Sequence, residues 1–207
     1  KIGPITIYTF GVMLSLGFIV GSSIAARGIR EEKGDVQKFW DLCFWIFVAG
    51  IVGSRLHYVI VNIGDFFDAC FYPEKLGLTE GSCAEVVMVW KGGLAFFGGF
   101  ILAFLVSIAY LKRRGINAWQ WSDIIAPCVF LGLGIGRLGC FSAADDFGKP
   151  TDLPWAMKFP NLVGYPDLEN VPIHPTQLYM LAKDVLVFLV GFVWLRKRKQ
   201  FHGQVTF

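Results

Sequence analysis

Five long apolar stretches run through this 207-residue chain and limit what it can fold into. A helix needs roughly 20 predominantly apolar residues to cross the hydrocarbon core of a bilayer. Hydrophobic residues make up 55% of the chain, whereas charged residues make up only 17%. The sequence therefore predicts an all-α polytopic integral membrane protein with five transmembrane helices in a single membrane domain, residues 1–207. The predicted spans lie at about Ile5–Ala26, Phe39–Val61, Leu94–Leu111, Ser122–Phe141 and Gln177–Leu195.

Short basic clusters predict the orientation of these helices. They follow the first, third and fifth spans, so alternating helices would bring all three clusters to one side, which the positive-inside rule assigns to the cytoplasm. The N-terminus is then outside and the C-terminus cytoplasmic, with outward loops at about 62–93 and 142–176. The clusters comprise Arg27, Arg30, Lys33 and Lys38; Lys112, Arg113 and Arg114; and Arg196, Lys197, Arg198 and Lys199. A net charge of only +3 and the absence of a nucleic-acid motif argue against nucleic-acid binding.

The cysteines predict no metal site. Cys70 and Cys83 fall in the first outward loop, where a disulfide is possible in an oxidising compartment, but sequence alone leaves their separation open. Cys43, Cys128 and Cys140 lie in apolar surroundings, which favours buried structural cysteines over metal ligands. No cofactor is predicted either.

Arg137 is the leading functional candidate, because a guanidinium at the end of a membrane helix usually has a partner or a ligand. It lies in FLGLGIGRLGCFSAADDFGKP, eight residues before Asp145 and nine before Asp146. Arg55, late in the second span, is expected at a similar depth, so the two arginines could hold one phosphate through bidentate hydrogen bonds. The alternative is that each reaches a lipid headgroup, or pairs with Asp145 or Asp146.

Two further motifs lie at predicted span ends. In KGGLAFFGG, Gly98 and Gly99 would let a backbone or a lipid chain approach closely, although plain helix packing is the more common use of such pairs. In HPTQLY, His174 precedes a helix whose first turns carry Gln177 and Tyr179, and a structural role for this histidine competes with a functional one. Trp155 and other tryptophans near the span ends are typical of an interfacial aromatic belt.

These motifs together resemble the bacterial prolipoprotein diacylglyceryl transferases, in the order GPITIYTFGVMLSLGF, VWKGGLAFFGG, GLGIGRLGCFSAADDFGKPTDLPWAMKFP and IHPTQLY. The resemblance implies an inner-membrane enzyme that moves diacylglycerol from phosphatidylglycerol to the cysteine thiol of a lipobox-containing preprotein. It implies that Arg137 and Arg55 bind the headgroup. Asp145 occupies the position of an essential glutamate in the family, and the resemblance implies that it acts as base or orienter. Asp146 is the second choice for that role.

The same resemblance implies that His174, Gln177 and Tyr179 shape the headgroup end of the site, with Gly98 and Gly99 beside the lipid.

The chain departs from the family pattern at four positions. Phe97 replaces a histidine, Phe10 a tyrosine for which Tyr8 could serve, Met180 a glutamate and Cys140 an asparagine. Members also continue into two further spans bearing another functional arginine.

These departures motivate an alternative hypothesis. It is a catalytically reduced paralogue that serves as a structural or lipid-binding subunit of a larger complex, with other membrane subunits as partners. The two hypotheses differ in whether another polar group reaches the place vacated at Phe97. A transporter is disfavoured because no span is expected to carry an intramembrane acid or half-helix repeat of the appropriate kind.

Overall fold

The computed structural model describes residues 9–71, 83, 87, 93, 95–159, 162 and 165–206. Its helices are α1 (Thr9–Glu31), α2 (Val36–Val61), α3 (Ile63–Phe71), α4 (Phe96–Arg113), α5 (Ala118–Ala143) and α6 (Thr176–Phe188). The last helix continues through a π-helical segment, Leu189–Leu195, into a final turn, Arg196–Arg198. A 3₁₀ turn covers Pro166–Leu168. Within the described ranges, the β-structure consists of isolated bridges that pair Ile173 with Pro150 and Met157.

Five of these helices are long and apolar enough to cross a membrane: α1, α2, α4, α5 and the continuous helix Thr176–Arg198. This confirms the predicted all-α polytopic membrane protein with five spans. Helix α3 has nine residues and is too short to cross. The beginnings of the first and third predicted spans, together with Tyr8, fall outside the described residues. The orientation of the termini stays a prediction.

The chain divides into two compact units. The first unit consists of Lys1–Asp35 and Trp119–Phe207, and the second of Val36–Ala118. The single membrane domain expected from the sequence stays a prediction.

In the second unit, α2 and α4 pack together through glycines. A Cβ atom on Gly98 would overlap the carbonyl oxygen of Gly53 and the Cβ of His57. One on Gly99 would overlap the Ser54 hydroxyl and would lie 2.7 Å from the Gly50 carbonyl oxygen. The helices approach this closely because Gly98 and Gly99 present no side chain to α2.

The disulfide that the sequence left open is present in the second unit. It joins Cys70, near the end of α3, to Cys83, with their Cα atoms 4.6 Å apart. The remaining cysteines, Cys43, Cys128 and Cys140, are reduced and buried, as expected for structural cysteines.

In the first unit, α1 crosses α5 at a second glycine contact. A Cβ on Gly17 would lie 2.5 Å from the carbonyl oxygen of Gly132, and one on Gly21 would lie 2.9 Å from that of Cys128. These two positions are one helical turn apart in each helix, so the backbones touch along a full turn. The contact brings α5, which carries Arg137, directly against α1.

Ion pairs in the first unit connect the end of α1 to the final helical turn, Arg196–Arg198, and the residue that follows it. The Arg196 guanidinium pairs with Glu31, and the Lys199 ammonium lies 2.9 Å from the Glu32 carboxylate. Asp123, near the start of α5, is fully buried and accepts hydrogen bonds from the backbone N–H groups of Gly203, Val205 and Thr206. Two residues of the basic cluster after the fifth span, Arg196 and Lys199, therefore have defined acidic partners.

One expectation about the spans was wrong. Asp184 is an acid within α6, only 3% exposed, and its Cβ packs against Gly134 of α5. The exposed Lys183 ammonium lies 2.8 Å from its carboxylate. Burial of this charge is tolerated because the neighbouring cation offsets part of its desolvation cost. Hydropathy averaged over the span does not reveal this pair, because the two charges are adjacent within an otherwise apolar run.

Candidate functional site

The site begins where α5 ends. Ala144 adopts a left-handed conformation, with φ of 53°, immediately after the helix. The N–H of Asp145 donates to the carbonyl of Cys140 at 3.0 Å, and that of Ala144 to the carbonyl of Phe141 at 3.2 Å. This pair of bonds is the Schellman termination of a helix. It turns the chain so that the following acids lie beside the last turns of α5.

Arg137 is paired with the second of these acids. Its guanidinium donates to the Asp146 carboxylate at 2.8 Å, and the two side chains are 33% and 54% exposed. The backbone N–H of Asp146 in turn donates to Oδ1 of Asp145 at 2.9 Å. Of the alternatives that the sequence left open for Arg137, the structure shows pairing with Asp146.

The start of α6 binds the backbone of Asp145 and Asp146, which together are called the acidic turn. The Thr176 hydroxyl donates to the backbone carbonyl of Asp146, and Nε2 of Gln177 donates to that of Asp145 at 2.6 Å. Gln177 is fully buried, and its Oε1 accepts no hydrogen bond from any residue that the structure describes. Both bonds fix the backbone of the turn without using an oxygen of either carboxylate.

The chain entering α6 is held in place by the loop that follows the acidic turn. The N–H of Gly148 donates to the His174 carbonyl at 3.0 Å, and the N–H of His174 donates to the Lys149 carbonyl at 3.1 Å. A Cβ on Gly148 would lie only 2.7 Å from that of His174, so this close approach requires glycine. His174 is thereby tied to the segment that carries the acids.

His174, Tyr179 and Trp155 form a connected side-chain group. The indole Nε1 of Trp155 donates to the Tyr179 hydroxyl oxygen at 2.7 Å, which lies 3.1 Å from Nδ1 of His174. The histidine and tyrosine rings also meet edge to face, with centroids 5.9 Å apart. Trp155 is expected from the sequence in an interfacial belt, and this contact is not predicted, because it joins a loop residue to a residue of α6 that lies 24 positions along the chain.

A small apolar cluster supports the loop between α5 and α6. Ile173, Leu162 and Phe159 are buried, and the partly buried Phe141 packs its ring edge to face against Phe159 at 5.7 Å. Because Phe141 belongs to α5 and Ile173 immediately precedes His174, this cluster connects the two halves of the site. The apolar cluster therefore packs directly beneath the segment that carries His174.

Arg55 belongs to the second unit and is only 8% exposed. Its guanidinium donates to the carbonyl of Gly93 at 3.0 Å and lies over the rings of Tyr58 and Phe66, 5.5 and 5.4 Å from their centroids. The Arg55 side chain is therefore buried against aromatic rings. An arginine that extends into lipid headgroups would be more exposed. Its part in phosphate binding stays a prediction.

The other predicted residues of the second unit lie at the contact between α2 and α4. The described neighbours of Gly98 and Gly99 belong to α2, as the packing alternative expects, and their contact with lipid stays a prediction. Phe97 is exposed, while His57, opposite Gly98, has a buried Nδ1 with no hydrogen-bond partner among the described residues. A polar side chain therefore lies next to the glycine that follows Phe97.

Comparison with known sequences identifies the chain's relatives. The family model of prolipoprotein diacylglyceryl transferase matches residues 1–207. A phosphatidylglycerol-prolipoprotein diacylglyceryl transferase of Pseudomonas fluorescens strain SBW25 is 38% identical over 199 residues, which cover 95% of this chain and 68% of the relative. Proteins of the same name from Pseudomonas putida strain KT2440 and Pseudomonas savastanoi pv. phaseolicola strain 1448A are each 37% identical, covering 96% and 95% of this chain and 69% and 68% of the relatives. The chain belongs to the prolipoprotein diacylglyceryl transferase family.

Proposed function

We propose that this protein transfers the diacylglyceryl group of phosphatidylglycerol to the cysteine thiol of a lipobox-containing prolipoprotein, at the bacterial inner membrane. The names of its bacterial relatives state the donor and the acceptor, and its five apolar helices fit a multi-pass membrane enzyme. One observation carries the proposal at the level of residues. It is the arginine at the end of a spanning helix, beside an acidic turn held by the start of the next span.

The reaction forms one bond and breaks another. The thiolate sulfur attacks the glyceryl carbon of the lipid, a carbon–sulfur bond forms, and the bond from that carbon to the phosphate ester oxygen breaks. Glycerol phosphate leaves with the electron pair. A site for this reaction must therefore accept the thiol proton, since a free thiol has a pKa of about 8.5, and must stabilise the negative charge that grows on the phosphate.

Arg137 is the proposed phosphate ligand. Its planar guanidinium can donate two parallel hydrogen bonds to phosphate oxygens, and the predicted topology puts the end of α5 near the lipid headgroups. In the structure it is paired with Asp146, and at one-third exposure it has room for a second anionic partner. Arg55 of the second unit is the proposed additional ligand of the phosphate.

Asp145 is the proposed base or orienter for the incoming thiol. Its backbone carbonyl is held by Gln177, and one carboxylate oxygen accepts the N–H of Asp146. Asp146 remains the second choice, because its carboxylate is already engaged by the Arg137 guanidinium. A carboxylate in this position suits general base catalysis once it lies within hydrogen-bond distance of the thiol.

The remaining proposed contacts are with the lipid. His174, Gln177 and Tyr179 are proposed to shape the headgroup end, and Gly98 and Gly99, which pack against α2, are proposed to lie beside the lipid. The site faces outward on the orientation that the basic clusters predict. The alternative of a catalytically reduced subunit gains no support from the names of these relatives or from the described part of the chain, and the same holds for further membrane subunits.

The test is transfer of labelled diacylglycerol from phosphatidylglycerol to a synthetic lipobox peptide by the purified full-length protein. Arg137→Ala should lower the rate by at least about a hundredfold, because it removes a charged ligand of the phosphate. Arg113→Ala, at an exposed position in the last turn of α4, is the matched control and should leave the rate unchanged. Equal rates for both variants would exclude Arg137 as the phosphate ligand.

A further inference from the structure

The hydrogen bonds of Trp155, Tyr179 and His174 have a direction. An indole N–H can only donate, so the 2.7 Å contact makes the Tyr179 oxygen an acceptor for Trp155. The tyrosine still has one proton to donate, and Nδ1 of His174 lies 3.1 Å away. If Nδ1 carried a proton and donated to Tyr179, the tyrosine proton would need another acceptor. Donation from Tyr179 to Nδ1 is the arrangement that satisfies both the tyrosine proton and Nδ1 within this group.

The state of the imidazole follows from this direction. With Nδ1 acting as an acceptor, neutral His174 carries its proton on Nε2. Acting as a base through Nε2 requires the other tautomer, in which Nδ1 no longer accepts from Tyr179. The residue is consequently arranged to donate a hydrogen bond from Nε2.

We propose that Trp155 is a positioning residue, which acts through Tyr179 to hold His174 as a hydrogen-bond donor to the phosphodiester of the lipid headgroup. The lipid part of this inference rests on the proposed function, whereas the tautomer does not. Trp155 touches neither reacting group, and its effect is transmitted by two hydrogen bonds.

The surroundings of His174 favour an anion as the acceptor. Two residues after it, Thr176 holds the backbone of Asp146, whose carboxylate pairs with Arg137. The histidine backbone also pairs with Gly148 and Lys149 of the loop that follows the acidic turn. A neutral N–H donor tied to the same turn as a guanidinium adds a directed hydrogen bond to a phosphate oxygen, where a second base would serve no purpose.

The tautomer can be measured directly. In the full-length protein labelled with ¹⁵N-histidine, long-range ¹⁵N–¹H spectra separate the two tautomers, and His174→Gln identifies its signals among those of the three histidines. We expect only the Nε2-protonated form in the parent protein and a mixture in Trp155→Phe and Tyr179→Phe. Trp45→Phe, at an exposed position on α2, is the matched control and should leave the spectrum unchanged. A proton on Nδ1 in the parent protein would overturn the inference.

The donor role is tested by binding. Native mass spectrometry gives the affinity for phosphatidylglycerol, with glycerol phosphate and inorganic phosphate as competitors that separate headgroup binding from binding of any free phosphate. Glutamine places an N–H near the position of histidine Nε2, whereas asparagine replaces only the Nδ1 side. His174→Gln should therefore bind within about threefold of the parent, and His174→Asn about tenfold more weakly, as for one lost hydrogen bond.

The outcomes of the two measurements separate the claims. Equal affinities of the glutamine and asparagine variants would contradict the donor role and leave His174 as a support for Tyr179 alone. Displacement by inorganic phosphate as efficient as by glycerol phosphate would contradict the lipid headgroup as the ligand. A parent protein that binds the lipid with this pattern but transfers nothing would refute the proposed function and leave this inference intact.

Discussion

The Arg137 guanidinium lies 2.8 Å from the Asp146 carboxylate, nine residues along the chain, across the left-handed turn that ends α5. Both side chains are partly exposed, so this pair contributes only about 0.5 kcal/mol to stability. Its chief effect is electrostatic, because the carboxylate neutralises the charge that Arg137 presents to an anionic ligand. The pair therefore sets how strongly a phosphate is attracted to the end of this helix.

Removing the negative charge of Asp146 should strengthen lipid binding. Asp146→Asn keeps an oxygen that can accept from Arg137 but no longer offsets its charge, so the KM for phosphatidylglycerol should fall by about threefold. Asp152→Asn, an exposed acid of the same loop, should leave KM unchanged. A rise of several-fold in the Asp146→Asn variant would instead mean that the carboxylate is needed to place the guanidinium.

Asp145→Asn should lower kcat by about a hundredfold or more, the usual contribution of a general base. Asparagine retains an oxygen to accept the N–H of residue 146, so the turn should keep its geometry and the melting temperature should change little. Single-turnover transfer to the lipobox peptide measures the chemical step. Full activity in this variant would move the assignment to Asp146 or away from the carboxylates.

Ala144→Gly should stabilise the protein by about 1 kcal/mol, since alanine is strained in the left-handed conformation that glycine adopts readily. Its neighbour Ala143→Gly, at the last position of α5, should have the opposite effect and cost up to about 1 kcal/mol. Reversible unfolding of both variants in detergent gives the comparison. Destabilisation by Ala144→Gly would show that the turn is not strained.

Gly17→Ala should destabilise the protein by about 1–3 kcal/mol, because its new methyl group would be forced against the Gly132 carbonyl of α5. Gly11→Ala is the matched control on the same helix, since a Cβ there meets no atom within 4 Å. The control should be neutral or slightly stabilising. Equal stability of the two variants would mean that α1 and α5 can separate without cost.

The membrane architecture was predictable from the sequence, whereas the pairing of charges within it was not. Five helices follow from apolar length alone, because only a helix satisfies its backbone in lipid without a partner. Whether Arg137 meets Asp145 or Asp146 depends on two left-handed residues, Ala144 and Asp146, which the sequence does not mark.

Contacts between residues that are distant along the chain are a second feature that could not be predicted from the sequence. The bond from Trp155 to Tyr179 and the disulfide from Cys70 to Cys83 each join a helical residue to a residue outside that helix, and no periodicity relates two such positions. Asp184 illustrates a different failure, since hydropathy averaged over a span conceals one charge beside an opposite one. In contrast, the expectation that paired glycines pack helices agrees with the described neighbours of Gly98.

The measurement that tests the account most directly is product analysis after incubating the full-length protein with phosphatidylglycerol and a lipobox peptide. We expect mass spectrometry to show one diacylglyceryl group bound to the peptide cysteine, with release of an equal amount of glycerol phosphate. A peptide in which alanine replaces the cysteine should gain no mass. An unmodified cysteine peptide, recovered alongside protein that has bound phosphatidylglycerol, would contradict the proposed transfer.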